Sequence, residues 1–330
     1  MDFGIIGFGR MGERYSKVIK SLNYDVKFVC DVNEKNTDFP FFSDYTKAIE
    51  NIPIDCLVIS TQGPSHYEIM KFAILNNIKY IICEKPFTTS IKQADEIISL
   101  LKHSSTRLSV NYIRRFSKTY EDIWNLLFKE NCIGTPRSII ISSGAGGIST
   151  LGTHYVDLAI FLLNSKIKSV FAIPINKNLP NPRGSQFEDP GGYFLLNFEN
   201  EARSFFEMGD DLGLQPKFEI IGEYGRMIID EFNDALIIRA RSDNDKQKEN
   251  HFYGIPNPII KKSILNFEPI EILIKRMIEN LISKNTLKSS ADMARDKVEI
   301  YSAIRKSFET LELIELPITD SYYEKQFMVT

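Results

Sequence analysis

Short apolar runs separated by amphipathic stretches dominate the first third of the chain. Asp2–Ile6, Val26–Cys30, Ile54–Ser60, Lys79–Cys83 and Arg107–Val110 have the length and β-branched content of buried strands. Between them, helical periodicity predicts helices over Glu13–Leu22, from Ser43 or Asp44 as cap through Glu50, from Pro64 to Asn77, and from a Ser90 cap to His103. The polar segment Val32–Phe42, with Pro40 inside it, leaves little room for a helix. Strands joined by helices of this length imply parallel pairing with right-handed crossovers.

After Phe116 the pattern changes. Lys118–Asn131 is amphipathic and carries the only tryptophan, Trp124, which reads as core. Gly134-Thr135-Pro136 turns into a β-branched run, Arg137–Ser143. Gly144-Ala145-Gly146-Gly147 then precedes a helix containing His154, Asp157, Leu158, Phe161 and Leu162. Six further strands are expected: Lys168–Ile175, Tyr193–Phe198, Arg203–Met208, Phe218–Ile221, Met227–Asp230 and Leu236–Ala240. Pro190-Gly191-Gly192, Glu199-Asn200-Glu201 and Glu223-Tyr224-Gly225 read as turns, and Asn176–Asp189 as a long polar loop whose Arg183 could meet a substrate phosphate or carboxylate but reads first as a solvated surface arginine. Asp243–Glu249 is a charged hairpin tip or loop, while Pro269–Ser283 and Ala291–Leu313 are amphipathic helices. The fold expected is α/β: a Rossmann-type domain over 1–120, then an α+β domain over 121–330 with a large, mostly antiparallel open sheet. In Tyr193-Phe194-Leu195-Leu196 neither face is cleanly polar, so helices on one side leave an apolar face needing another cover.

Composition narrows the function classes. A chain of 330 residues suits about two domains, and 43% hydrophobic residues suffice for real cores. A net charge of -3 with both signs interspersed favours neither nucleic acid nor an anionic membrane. The four cysteines, Cys30, Cys56, Cys83 and Cys132, show no metal-binding spacing, so no metal site is expected. With the first strand beginning at residue 2 and no apolar run of membrane-spanning length, a cytoplasmic protein is expected.

The chemistry lies at the carboxyl ends of the predicted parallel strands, where such sheets bind ligands. Gly7-Phe8-Gly9-Arg10-Met11-Gly12 follows the first strand and opens the first helix. In a dinucleotide site Gly7 permits the tight turn, Gly9 lets main chain approach a pyrophosphate, and Gly12 allows close helix packing. The helix N-terminus adds N–H groups and a positive dipole end. Asp31, about 20 residues on, is placed for a ribose diol and favours the 2′-OH of NAD over the 2′-phosphate of NADP, with Lys35 as the one nearby cation. Thr61, Gln62, His66, Glu84 and Asn111 end the later strands and join the cofactor candidates. Lys85 follows a buried strand, where a lysine is ordinarily a solvated loop residue. At the mouth of a cofactor cleft, however, it can hold a hydroxyl, stabilise an oxyanion or relay a proton, with Pro86 stiffening its backbone.

The glycine turn with Met11, the Thr61…His66 turn, Glu84-Lys85-Pro86 and Asn111-Tyr112-Ile113-Arg114-Arg115-Phe116 together resemble the Gfo/Idh/MocA oxidoreductases. The resemblance implies a nicotinamide cofactor, a two-domain fold, and a sugar, cyclitol or nucleotide-sugar substrate. It also implies a homodimer or homotetramer formed through the C-terminal sheet, and C-terminal helices that brace that sheet or the first domain. The family's lysine falls on Lys85, and the histidine of its D-x-x-x-H pattern falls on His154. Thr150 stands where the aspartate of that pattern is expected, and Asp157 matches a further acid. Similar nucleotide-sugar enzymes work with lysine and histidine alone.

The resulting expectation is reversible hydride transfer between nicotinamide and a carbinol carbon. His154 exchanges the hydroxyl proton and Lys85 steadies the oxygen, either being the formal acid–base. Tyr112, Arg115, Thr150 and Asp157 are the substrate-side candidates. Two rivals belong to other classes: a glycosidase of the same fold using NAD transiently, and a non-catalytic NAD- or sugar-sensing protein.

Overall fold

The computed structural model describes residues 1–144, 146–178, 181, 183–213 and 216–330, and for 176–178 the main chain alone. It divides into two compact units: residues 1–116 with 269–302 and 319–330, and residues 117–268 with 303–318.

The first unit is built on six parallel strands: β1 (Asp2–Ile6), β2 (Asp25–Cys30), β3 (Phe41–Phe42), β4 (Cys56–Ile59), β5 (Tyr80–Cys83) and β6 (Arg107–Val110). Their spatial order, β3-β2-β1-β4-β5-β6, reverses direction beside β1, and a switch point of this kind opens a crevice at the strand ends. Four helices connect them: α1 (Arg10–Ser21), α2 (Tyr45–Asn51), α3 (Gly63–Leu75) and α4 (Ile91–Lys102). The Asp44 side chain caps α2 through Thr46 N, and Ser90 caps α4 through Gln93 N. Pro64 occupies the first turn of α3, so His66 lies inside that helix, within the span expected from Pro64 to Asn77.

A helix from much later in the chain completes this unit. After α5 (Lys118–Phe128) and α6 (Thr153–Leu163) comes α7 (Ile270–Ile282). Leu273, Ile274, Met277, Ile278 and Leu281 of α7 are buried in one cluster with Phe3, Ile5, Tyr15, Val58 and Ile82. Spacings of one, three and four put these five on a single helical face. Arg107 donates to the carbonyls of Leu281 and Asn285, at 3.0 and 2.9 Å, fixing the far end of α7 to β6.

The second unit holds a nine-stranded sheet. Its strands are β7 (Pro136–Ser143), β8 (Ile167–Asn178), β9 (Pro190–Phe198), β10 (Arg203–Met208), β11 (Lys217–Gly222), β12 (Gly225–Asp230), β13 (Ala235–Ala240), β14 (Ile259–Ile264) and β15 (Ile314–Glu315). The order is β14-β13-β12-β11-β7-β10-β9-β8-β15, antiparallel except for the parallel pair β7–β10. Pro190-Gly191-Gly192 therefore lies within a strand and is not a turn: Gly192 pairs with Met208 and Pro174. The expected loop over Asn176–Asp189 starts later, because β8 continues to Asn178, and part of it (179, 180 and 182) lies outside the described residues, as does Ala145 of the glycine run. A final helix, α8 (Ala291–Thr310), contributes residues through Ser302 to the first unit and from Ala303 to the second.

On one face of the larger sheet, Ile141, Phe206, Phe194 and Ala172 are buried. On the other, the registers align Ile140, Phe205, Leu195 and Phe171 in one row across four strands. Ile140 and Phe205 are 38% and 45% exposed, and Tyr193 and Ile173, paired in the next row, 52% and 45%.

Candidate functional site

The glycine turn has three distinct steric demands. Gly7 sits at φ +87°, and a Cβ there would come within 2.6 Å of Ser60 and Thr61 main chain. A Cβ on Gly12 would stand 2.2 Å from the Gly7 carbonyl oxygen, so α1 meets the turn with no room for a side chain. At Gly9 nothing lies within 4 Å of such a Cβ. Gly9 thus faces open space at the N-terminus of α1, where a phosphate can approach main-chain N–H groups. Phe8 packs edge-on to Phe39 beneath the turn; Arg10 is exposed and Met11 half-buried.

Asp31, just past β2, ties itself to this turn. Its Oδ2 accepts from Phe8 N at 2.8 Å and its Oδ1 from Asn33 N at 3.0 Å, with Lys35 Nζ 4.0 Å from Oδ2. A carboxylate offers about four acceptor positions. Two main-chain bonds therefore hold it in place while leaving acceptor capacity for a diol.

The turn after β5 is set by its neighbours. The Glu84 Oε1 accepts from Tyr15 OH at 2.9 Å and from Asn111 Nδ2 at 2.6 Å, linking α1 to the ends of β5 and β6. Burial, and then the Glu84 carboxylate, hold the Tyr15 phenol well above its ordinary pKa. Asn111 Oδ1 is buried and has no hydrogen-bond partner among the described residues. The fully buried His66 places Nδ1 2.7 Å from the Pro86 carbonyl and Nε2 3.2 Å from that of Thr61. It joins the turns after β4 and β5 at once. Thr61 is half-buried and Gln62 exposed.

Lys85 itself is 7% exposed, and its Nζ donates to the Thr330 carbonyl at 3.2 Å. The segment carrying Thr330 runs along this unit: Phe327 N donates to Thr89 O, and Val329 O lies 2.5 Å from where a Gly63 Cβ would be. Sequence reasoning passed over these last residues, because nothing local marks a main-chain carbonyl as a lysine's partner. Tyr112 is buried with Lys297 Nζ 4.8 Å from its ring centre, and Arg115 is buried in the single turn Ile113–Phe116.

In the second unit a π-helical turn, Ile148–Gly152, leads into α6. Thr150 and His154 are half-buried and Asp157 is buried. Residues four apart share a helix face, as do residues three apart. So Thr150, His154 and Asp157 form one stripe. Tyr155, beside His154, is fully buried, and its hydroxyl donates to Glu231, which also receives the hydroxyl of Tyr120. Asp189 accepts from the backbone of Gly147, Ser149 and Thr150 at 2.8, 2.9 and 3.1 Å. Nothing local to Asp189 in the chain singles it out. The one available signal was the Gly146-Gly147 pair, which clears the space that Asp189 fills. Among the described residues no His/Cys/Asp/Glu group is arranged to hold a metal ion, and no helix is long and apolar enough to cross a membrane.

Residues 1–112 match the model described as "Oxidoreductase family, NAD-binding Rossmann fold", and residues 131–228 match the "GFO/IDH/MocA C-terminal domain". An uncharacterized oxidoreductase, YrbE of Bacillus subtilis, is 23% identical over 76% of this chain and 80% of its own length. The myo-inositol 2-dehydrogenase of Thermotoga maritima is 20% identical over 74% and 80%. In fold, the chain is similar to the WlbA dehydrogenase from Bordetella pertussis, solved in complex with NADH and UDP-GlcNAcA. The TM-score is 0.74 at 17% identity, covering 96% of this chain and 99% of that one.

Proposed function

Because the chain belongs to the GFO/IDH/MocA oxidoreductase family, we propose that it moves a hydride between NAD and a carbinol or keto carbon of a sugar, cyclitol or nucleotide-activated sugar. The observation that carries this reading is the gathering of Gly9, Asp31, Asn111 and Lys85 at the carboxyl ends of one parallel sheet. These residues fit NAD: open space over Gly9 for the pyrophosphate, spare acceptor capacity on Asp31 for a ribose, and an unpartnered buried oxygen on Asn111.

NAD, when bound, supplies the hydride acceptor. Lys85 holds the reacting oxygen and stabilises the negative charge that grows there as the carbon–hydrogen bond breaks. The neutral imidazole of His154 takes the hydroxyl proton and returns it in the reverse direction. Thr150 and Asp157, on the same helix stripe, orient neighbouring hydroxyls, and Tyr112 and Arg115 complete the substrate-side set. A second copy of the chain covers the apolar row Ile140–Phe205–Leu195–Phe171, because a contiguous exposed apolar face of this kind is rare on a monomer.

The test is a panel of cyclitols, sugars and nucleotide sugars with NAD, following net NADH accumulation. Accumulation with at least one member is expected. Product release without net NADH would instead identify a glycosidase, and failure of the whole panel a binding protein.

A further inference from the structure

Asp189 is 4% exposed, and five donors reach it, all from one short segment ahead of α6, the Ser149 hydroxyl having the Glu188 carbonyl at 2.8 Å as an alternative acceptor. Its Oδ2 accepts from Gly147 N at 2.8 Å and Thr150 Oγ1 at 2.5 Å. Its Oδ1 accepts from Ser149 N at 2.9 Å, Thr150 N at 3.1 Å and Ser149 Oγ at 2.7 Å. These donors fill the acceptor positions of a carboxylate. The neighbouring glycines keep the space clear: Gly146 has φ +95° and would bring a Cβ within 2.8 Å of Thr150 Oγ1, and a Cβ on Gly147 would lie 2.7 Å from Asp189 Oδ1. Asp189 is therefore built in as an acceptor and acts on other molecules only through what it holds.

Besides main chain it holds the hydroxyls of Ser149 and Thr150, and of these two Ser149 is buried while Thr150 is half-buried. A threonine hydroxyl has one proton and two lone pairs. With the proton on Asp189, Thr150 Oγ1 meets any further group as an acceptor, and the carboxylate strengthens that character because hydrogen bonds in a chain polarise one another. Thr150 is half-buried, and one turn of helix separates it from His154 on the same face.

We propose that Asp189 is a positioning residue that presents Thr150 Oγ1 as a fixed acceptor for a substrate hydroxyl beside the one that His154 serves. This rests on His154 being on the substrate side. The subsite takes a neutral, donating hydroxyl, as on a cyclitol or sugar ring carbon. It disfavours a carboxylate or phosphate, which would meet a lone pair backed by a buried negative charge.

The experiment compares wild type with Thr150→Ser, Thr150→Val, Asp189→Asn and the Thr150→Val/Asp189→Asn double variant, all in the full chain with saturating NAD. It measures KM and kcat on the substrate found in the panel, and polyol binding by saturation-transfer NMR. Thr150→Ser is expected to stay within about 3-fold of wild-type KM, while Thr150→Val and Asp189→Asn each raise it about 10-fold or more. The double variant should be little worse than Thr150→Val, as for two groups acting as one unit. One monodeoxy analogue, lacking the hydroxyl that Thr150 receives, should erase the Thr150→Val penalty.

A role confined to capping the helix would lower the melting temperature and leave every analogue equally affected, and that result overturns the proposal. So does wild-type KM and binding in Thr150→Val, or a wild type that binds no polyol. If Asp189→Asn does not fold, Thr150→Ser against Thr150→Val still decides. A wild type that binds polyols but never reduces NAD refutes the redox reading, while the binding series continues to test Asp189.

Discussion

The Lys85 ammonium donates to the main-chain carbonyl of Thr330, 245 residues away, at 3.2 Å, and both residues are buried. One of the three ammonium donors is thereby given a fixed direction, which also orients the other two. Removing residues 328–330 is expected to lower kcat about 10-fold, as for a loss of about 1.4 kcal/mol of orientation, with little change in the NAD dissociation constant. Calorimetric NAD titration and steady-state kinetics check it. An unchanged or increased kcat would show that this contact does not position the lysine.

Lys85→Met and His154→Ala are expected to slow turnover by about 10²–10⁴-fold each while NAD still binds. Single-turnover reduction of NAD with excess enzyme measures this directly. Near-normal rates in both variants would remove the proposed roles.

The glycines separate a folding requirement from a binding one. Gly9→Ala adds a methyl into open space, so its melting temperature should match wild type while NAD affinity falls about 10-fold or more. Gly12→Ala forces a contact of 2.2 Å with the Gly7 carbonyl and should lose stability, by about 1–3 kcal/mol, along with NAD binding. Equal behaviour in thermal melts would contradict the steric distinction.

Asp31→Ala removes the acceptor of Phe8 N as well as the candidate ribose partner. A loss of about 1.5–3 kcal/mol in NAD binding is expected from hydrogen bonds to a charged group. Isothermal titration with NAD and with NADP tests it: NAD binding unaltered by the substitution would refute the assignment.

Alkaline pH should weaken the fold. Burial raises the Cys30 thiol from 9.0 to about 12 and the Cys132 thiol from 9.0 to about 11. The folded chain keeps protons that the unfolded chain releases above pH 9.0, so stability from these groups is whole below that pH and declines as pH rises toward the folded values. Denaturant melts between neutral pH and about pH 10.5 should show the decline, and Cys30→Ala should flatten part of it. A flat profile in wild type would contradict this.

Much of the first unit was legible from local chemistry. Gly7 makes the tight turn and Gly12 the close helix packing that their spacing suggested, Gly9 faces open space, and the caps at Asp44 and Ser90 form as expected. Such signals work because a turn, a cap or a buried run is decided within a few residues. The sequence alone also marked Lys85 and His154, through residue type and resemblance. Elsewhere local cues misled. Pro190-Gly191-Gly192 has turn composition yet pairs as strand, and β14 and β15 went unnoticed, the first an exposed edge and the second only two residues long.

The remainder was decided only in three dimensions. Asp189 reaches Gly147 across 42 residues, Thr330 reaches Lys85 across 245, and α7 fills the core beneath Phe3 and Val58. Each partner satisfies a buried polar group or an apolar face, and a linear sequence records the need without naming who meets it. Periodicity and turn chemistry thus determined which elements form and where their ligand-facing ends lie. Which distant group steadies the lysine and which the threonine depended on burial, because only a folded core makes an unmatched hydrogen bond costly enough to select its partner.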